Sequence, residues 1–188
     1  MDKTEMQRTI SRINLSLIGM PGVGKSTVGV LLAKHLAMAF VDTDLIIQTS
    51  QARRLEQIIA ENGREEFCRI EEEAILTLKR DFQVVATGGS VVYSTRAMRH
   101  LHAIGPVIFL DIELKSLKQR LANLDSRGVI RAPGVSIDAL FAQRLPLYQS
   151  QADLRVDCSA LLPDQVVMAI LDQLQGRADF AFPRNLHR

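Results

Sequence analysis

The residues with the plainest chemistry are Gly19-Met20-Pro21-Gly22-Val23-Gly24-Lys25-Ser26-Thr27. Their spacing fits G-x-x-x-x-G-K-[ST], a phosphate-binding loop. Glycines let the backbone curl until successive N–H groups point at one phosphate, and the start of the next helix adds partial positive charge. Lys25 is placed to reach the β- and γ-phosphates of a nucleoside triphosphate, and the Ser26 hydroxyl to ligate Mg²⁺. The expected nucleotide contacts are therefore Gly22, Val23, Gly24, Lys25, Ser26 and Thr27. Further on, Asp42-Thr43-Asp44 offers two carboxylates. Phosphoryl transfer needs one carboxylate associated with the metal and a group that orients the nucleophile, so this pair suits the same chemistry.

These groups must be carried by regular elements. The apolar run Ile13 to Ile18 reads as a buried strand that delivers the loop, and a helical pattern follows to about Ala39. Phe40-Val41 before the acids reads as a short strand, and in an open parallel sheet ligands gather at the carboxyl ends of strands. Helical segments are expected at 45–51 and 55–61. A longer helix opens at Gly63 and reaches about Lys79, with Phe67, Ile70, Ala74, Ile75 and Leu78 at helical spacing. Gln83 to Thr87 is a strand running into Gly88-Gly89-Ser90, where backbone is expected to approach a ligand closely.

Arg96 to Ala103 is helical, Pro106 to Asp111 is a buried strand, and Ile112 to Leu124 is an amphipathic helix. Residues 125–135 hold Arg127, Arg131, two glycines and a proline, the composition of a mobile lid. Ser136 caps a helix from Ile137 to about Gln149, Leu154 to Val156 is a last strand, and Pro163 starts a last helix. The β–α alternation predicts an α/β fold, a parallel five-stranded sheet with helices on both faces. One domain is expected over 13–175, with tails at 1–12 and 176–188.

Composition narrows the class. A net charge of +2, from 23 basic and 21 acidic residues, does not suit a dedicated nucleic-acid binder. Tryptophan is absent and aromatics make up 5%, so base-stacking platforms are not expected either. Cys68 and Cys158 form no C-x-x-C pair, which fits a reduced, cytoplasmic protein. The first apolar run is too short to span a membrane. The four histidines show no metal-ligand spacing with carboxylates. A small-molecule substrate is the expectation, with no nucleic acid and no membrane as partner, and no long apolar heptad calls for an oligomer.

The P-loop, Asp42-Thr43-Asp44, the Gly63…Phe67 helix start, Ala86-Thr87-Gly88-Gly89 and Arg144-Leu145-Pro146-Leu147-Tyr148 occur in an order and spacing that resemble the shikimate kinase family. The resemblance covers about residues 13–175. It implies a P-loop kinase fold, use of ATP and Mg²⁺, and transfer of the γ-phosphate to shikimate to give shikimate 3-phosphate. It also implies that Asp44 contacts the substrate hydroxyls, that Asp42 lies near Mg²⁺, and that Thr87 is a hydroxyl on the metal side. Gly88 and Gly89 would lie against the substrate, and Arg144 would hold its carboxylate, a role suited to a guanidinium fork. Arg120 would stack near the adenine, and Pro163 would shape its pocket. Arg127, with Arg131 as a substitute, would reach the phosphates as the lid closes and excludes water. The catalytic set implied is Lys25, Asp44 and Arg127.

Three positions depart from the family pattern. Ser90 replaces a third glycine, and Gly128 replaces a proline in the lid. Cys68 replaces an arginine that follows Phe67 and shares the substrate carboxylate with Arg144. A thiol, with a reference pKa of about 8.5, supplies no positive charge, and losing a charged donor costs about 2–4 kcal/mol of binding. Glu71 loses its partner as well. Arg69 points about 100° away on a helix, whereas Arg64 lies one turn before Cys68 on the same face. Arg64 is therefore expected to stand in, joining Cys68 in the substrate pocket. Two other readings are a gluconate-kinase-like enzyme acting on another hydroxylated acid or sugar, and a regulatory nucleotide-binding module that has lost catalysis.

Overall fold

The structure is a computed structural model that describes residues 13–123 and 135–175. In chain order its elements are β1 (Leu15–Ile18), α1 (Lys25–Leu36), β2 (Ala39–Asp42), α2 (Thr43–Gln51), α3 (Leu55–Leu76) and β3 (Gln83–Ala86). A short 3₁₀ turn (Val91–Tyr93) leads to α4 (Thr95–Ile104), β4 (Val107–Asp111) and α5 (Leu114–Asn123). The chain ends its described part with α6 (Ile137–Gln151), β5 (Leu154–Asp157) and α7 (Pro163–Gln175). Arg127, Arg131, the lid apart from Val135, and both tails lie outside the described residues.

Five strands form one sheet in the order β2-β3-β1-β4-β5, and each neighbouring pair is parallel. Strands β1, β3 and β4 are buried along their whole length. Their near-continuous apolar sequences follow, because helices cover both faces of a parallel sheet. At the edge, β5 alternates instead: Leu154 and Val156 are buried, while Arg155 and Asp157 face out. The expected sheet is present in strand number and direction.

The topology decides where a ligand can sit. From β1 the chain crosses to β2 on one side, and from β3 it crosses to β4 on the other, so the order reverses between β1 and β3. A crevice opens at such a switch point, outside the carboxyl ends of the strands. The register sets Leu17 beside Ala86 and Ala86 beside Asp42, so β1, β3 and β2 end level with one another. The loops that leave these three ends carry the P-loop, Gly88-Gly89 and the Asp-Thr-Asp segment.

Several boundaries differ from the periodicity. Helix α1 stops at Leu36 because Ala37 turns into the left-handed region (φ 52°), and its N–H returns to the carbonyls of Ala33 and Lys34. Helix α3 runs through both predicted segments, interrupted at Gly63 (φ 77°, ψ 172°), and ends at Leu76 rather than near Lys79. Strand β1 starts at Leu15 because Asn14 has another task. Its buried side chain donates to the Lys79 carbonyl (2.8 Å) and accepts from the Asp81 N–H (3.0 Å), tying down the connection into β3.

Candidate active site

The P-loop, α2, α3, the loop after β3 and α6 enclose a cavity of about 260 Å³ at the switch point. Gly22, Gly24, Lys25, Ser26 and Thr27 line its P-loop wall. Helix α1 begins at Lys25 without a side-chain cap and without an acid in its first turn. Its first N–H groups are thus left to an incoming anion. Val23 does not line the cavity: its side chain is buried and its carbonyl accepts from Arg120 (2.9 Å).

Lys25 is buried, and its ammonium donates to the carbonyls of Gly19 (2.9 Å) and Met20 (3.1 Å), folding back on the loop it belongs to. Burial pushes its pKa down to about 8, with the negative charge of Asp44 holding it up in part. Asp44, on the first turn of α2, lines the cavity. Burial holds its carboxyl above the ordinary range, the Asp42 charge adds to this, and Lys25 opposes it. A carboxylate so raised accepts a proton more readily.

Asp42 caps α2, its Oδ1 accepting the Asp44 N–H at 3.0 Å. The cap fixes where Asp44 starts its helix turn, so the first acid positions the second. Between them, Thr43 is fully buried and its hydroxyl accepts the Gly88 N–H at 3.1 Å, joining α2 to the loop after β3. Thr87 donates its hydroxyl to the Leu17 carbonyl (2.9 Å) and lines the cavity. Its neighbours Gly88, Gly89 and Ser90 line it too.

Arg144 and Tyr148 lie four residues apart on α6 and so share a face. Tyr148 is fully buried and stacks on Phe109 of β4 (centroids 5.2 Å apart, planes at 18°). Its hydroxyl donates to the Gly89 carbonyl at 2.6 Å, so the core holds this loop in place. Arg144 is only 4% exposed, lines the cavity, and donates from Nε to the Tyr93 hydroxyl at 3.2 Å. Burial raises the pKa of the Tyr148 hydroxyl, and the Arg144 guanidinium opposes that rise.

Glu71, on α3, is the residue that sequence reasoning left out of the site. It is 2% exposed, lines the cavity, and its Oε1 accepts no hydrogen bond. Burial pushes its carboxyl up to about 7, while the Ser90 side chain beside it works the other way. Tyr93 was missed as well, and no local motif marks it. Phe67 lines the cavity next to Cys68, which is half-buried.

Arg120 and Pro163 sit away from this lining. Arg120 donates to the carbonyls of Val23, Cys158 and Leu161 (the last at 3.3 Å), bridging the P-loop to the connection between β5 and α7. Pro163 is exposed as the first residue of α7.

A P-loop with a buried lysine shares one cavity with the carboxylate of Asp44 and the guanidinium of Arg144, the set of groups of a P-loop small-molecule kinase. The sequence matches the family model described as shikimate kinase over residues 21–175. The chain belongs to the shikimate kinase family, whose members are ATP-dependent phosphotransferases. It is 36% identical to a shikimate kinase of Nostoc sp. over 173 residues, covering 90% of this chain and 94% of that one. The crystal structure of shikimate kinase from Aquifex aeolicus superposes with a TM-score of 0.75 at 32% identity, covering 87% of this chain and 97% of the other. A shikimate kinase from Acinetobacter baumannii in complex with shikimate shares the fold (TM-score 0.81, 24% identity, 90% and 97% covered). No helix among the described residues is long and apolar enough to cross a membrane.

Proposed function

We propose that this chain transfers the γ-phosphate of ATP to a hydroxyl of shikimate, giving shikimate 3-phosphate. The observation that carries the reading is a single cavity lined by Lys25 and Ser26 of the P-loop, by Asp44 and by the buried Arg144. The P-loop suits a polyphosphate, the Arg144 guanidinium a carboxylate, and the Asp44 carboxylate a hydroxyl.

The residues divide the work as follows. The N–H groups of Gly22, Gly24, Lys25, Ser26 and Thr27, at the start of α1, hold the phosphates. Lys25 exchanges its two carbonyl partners for phosphate oxygens and meets the charge that develops in transfer. Asp44 orients the acceptor hydroxyl and takes its proton as the new O–P bond forms and the bond to ADP breaks. Arg144 anchors the acceptor by its carboxylate. Gly88 and Gly89 let the acceptor ring lie against backbone.

The residues present fit a divalent cation: Ser26 is exposed on the cavity wall and Asp42 stands at the end of β2, separated from β1 by β3. These two would hold Mg²⁺, which supplies charge neutralisation on the phosphates when bound. Arg120 serves the nucleotide indirectly, by fixing the P-loop through the Val23 carbonyl, and Arg120 and Pro163 would flank the adenine outside this cavity. Arg127 closes on the phosphates from the lid. The protein works as a cytoplasmic monomer.

A gluconate-kinase-like acceptor or a regulatory module has no better support than shikimate. The test is ADP release with Mg²⁺-ATP. Shikimate is expected to stimulate it strongly, and gluconate or sugars not to. Stimulation by one of those acceptors, with none by shikimate, contradicts the proposal.

A further inference from the structure

Arg64 and Arg144 come from different helices, α3 and α6, yet the guanidinium of each lies over the same aromatic ring. The Arg64 guanidinium lies 5.3 Å and that of Arg144 5.2 Å from the centroid of Tyr93. The ring face attracts each cation, by about 0.5–2 kcal/mol. Two like charges on one ring nonetheless repel. Among the described residues neither forms an ion pair with a carboxylate. The buried acid Glu71 leaves Oε1 without a hydrogen-bond partner rather than pairing with them. An arrangement of two gathered, unpaired guanidiniums is completed by an anion.

Tyr93 is oriented to do this. Its hydroxyl proton goes to Gln143 Oε1 (3.0 Å), which leaves oxygen lone pairs for the Arg144 Nε–H. One residue thus fixes the orientation of Arg144 by a hydrogen bond and holds Arg64 beside it by its face. Arg64 follows directly on the break at Gly63, one turn before Cys68. Both arginines bear on the Cys68 thiol: burial and then the Glu71 charge raise its pKa, and Arg64 and Arg144 oppose them.

We propose that Arg64 and Arg144, gathered on the Tyr93 ring, form a two-guanidinium clamp for the carboxylate of the acceptor, with Tyr93 as its positioning residue. This rests on the reading of the acceptor as a hydroxy acid. Arg64 is then a specificity residue that position 68 does not supply. Arg64 is exposed and lies outside the cavity lining, whereas Arg144 is buried and lines the cavity, so Arg64 must swing about the Tyr93 ring to share the carboxylate.

The test is calorimetric binding of shikimate and of its neutral methyl ester to the full chain, alongside steady-state kinetics. Wild-type protein is expected to prefer the acid over the ester. R64A is expected to weaken acid binding about 10- to 100-fold, the value of one charge-assisted hydrogen bond, and to leave ester binding and the KM for ATP as they were. R64K should retain part of the preference. Y93L should lower it as R64A does, and Y93F should lower it less. Adding C68R to R64A should restore it. R64A that binds the acid as tightly as wild type, or loses acid and ester equally, overturns the clamp. Wild-type protein that neither phosphorylates shikimate nor separates acid from ester contradicts the functional reading and the clamp with it. Shikimate turnover with an indifferent R64A overturns the clamp alone.

Discussion

Gly88 passes so close to Glu71 that a Cβ at position 88 would overlap Glu71 Oε1 and sit 3.1 Å from Asp44 Oδ1. The buried carboxylate of Glu71 and the half-buried one of Asp44 therefore converge on a residue that has no side chain. Gly88→Ala must displace Glu71 or Asp44. A shift of about 1 Å in a group that orients the acceptor costs on the order of 100-fold in rate. We expect kcat/KM for shikimate to fall by about that factor, with nucleotide affinity retained. Unchanged kinetics for G88A would show that Asp44 and Glu71 are free to move without consequence.

Glu71 should make stability depend on pH. Its folded-state pKa is raised to about 7 from an ordinary 4.5, so between these values the folded chain binds more protons than the unfolded one. Stability from this group is complete below about pH 4.5 and is lost as pH rises through about 7. Glu71→Gln removes the charge and with it this loss. Urea unfolding at pH 8 should find E71Q more stable than wild type by on the order of 1–3 kcal/mol, with the gap closing at pH 5. A gap of equal size at both pH values contradicts a buried, unpaired carboxylate.

Lys25 predicts a proton uptake. With its pKa pushed down to about 8 by burial, roughly half of the unliganded protein carries a neutral amine at pH 8. Phosphate restores the charge, so nucleotide binding should take up about half a proton at pH 8 and almost none at pH 6. Calorimetry of nucleotide binding in buffers of different ionisation enthalpy measures this directly. K25M should abolish the uptake; uptake that persists in K25M assigns it to another group.

Gly63 occupies a backbone region (φ 77°, ψ 172°) that side chains rarely adopt, although nothing within 4 Å would crowd a Cβ there. Gly63→Ala should cost about 1–3 kcal/mol through backbone strain alone. It should also raise the KM for shikimate, because Arg64 is aimed by this break. Thermal unfolding and kinetics on the same preparation separate the two effects. A destabilised G63A with unchanged KM would mean that the break does not aim Arg64.

What could be read in advance was whatever the local backbone determines. The P-loop, the Asp-Thr-Asp segment and the Gly-Gly turn each follow a strand, and each strand is marked by its apolar run. Tyr93 was not legible, because its partners Arg64 and Arg144 lie 29 residues before it and 51 after it, on other elements. Glu71 was visible as a helix residue, but its burial without a partner depends on how the loop at Gly88 packs against it. Asn14 looked like part of a strand, since polarity inside an apolar run carries no sign of the 65-residue reach to Lys79. For Arg120, the helix face was visible, while the three carbonyls it joins belong to two separate loops.

The central claim is that the phosphoryl group lands on shikimate. Phosphorus NMR of wild-type protein with Mg²⁺-ATP and shikimate tests it most directly. The account predicts that the ATP γ-phosphate signal is replaced by a phosphomonoester signal coupled to a proton on the shikimate ring, with one ADP formed per ester. Appearance of inorganic phosphate alone, or no change in the ATP signals when shikimate is added, would contradict it.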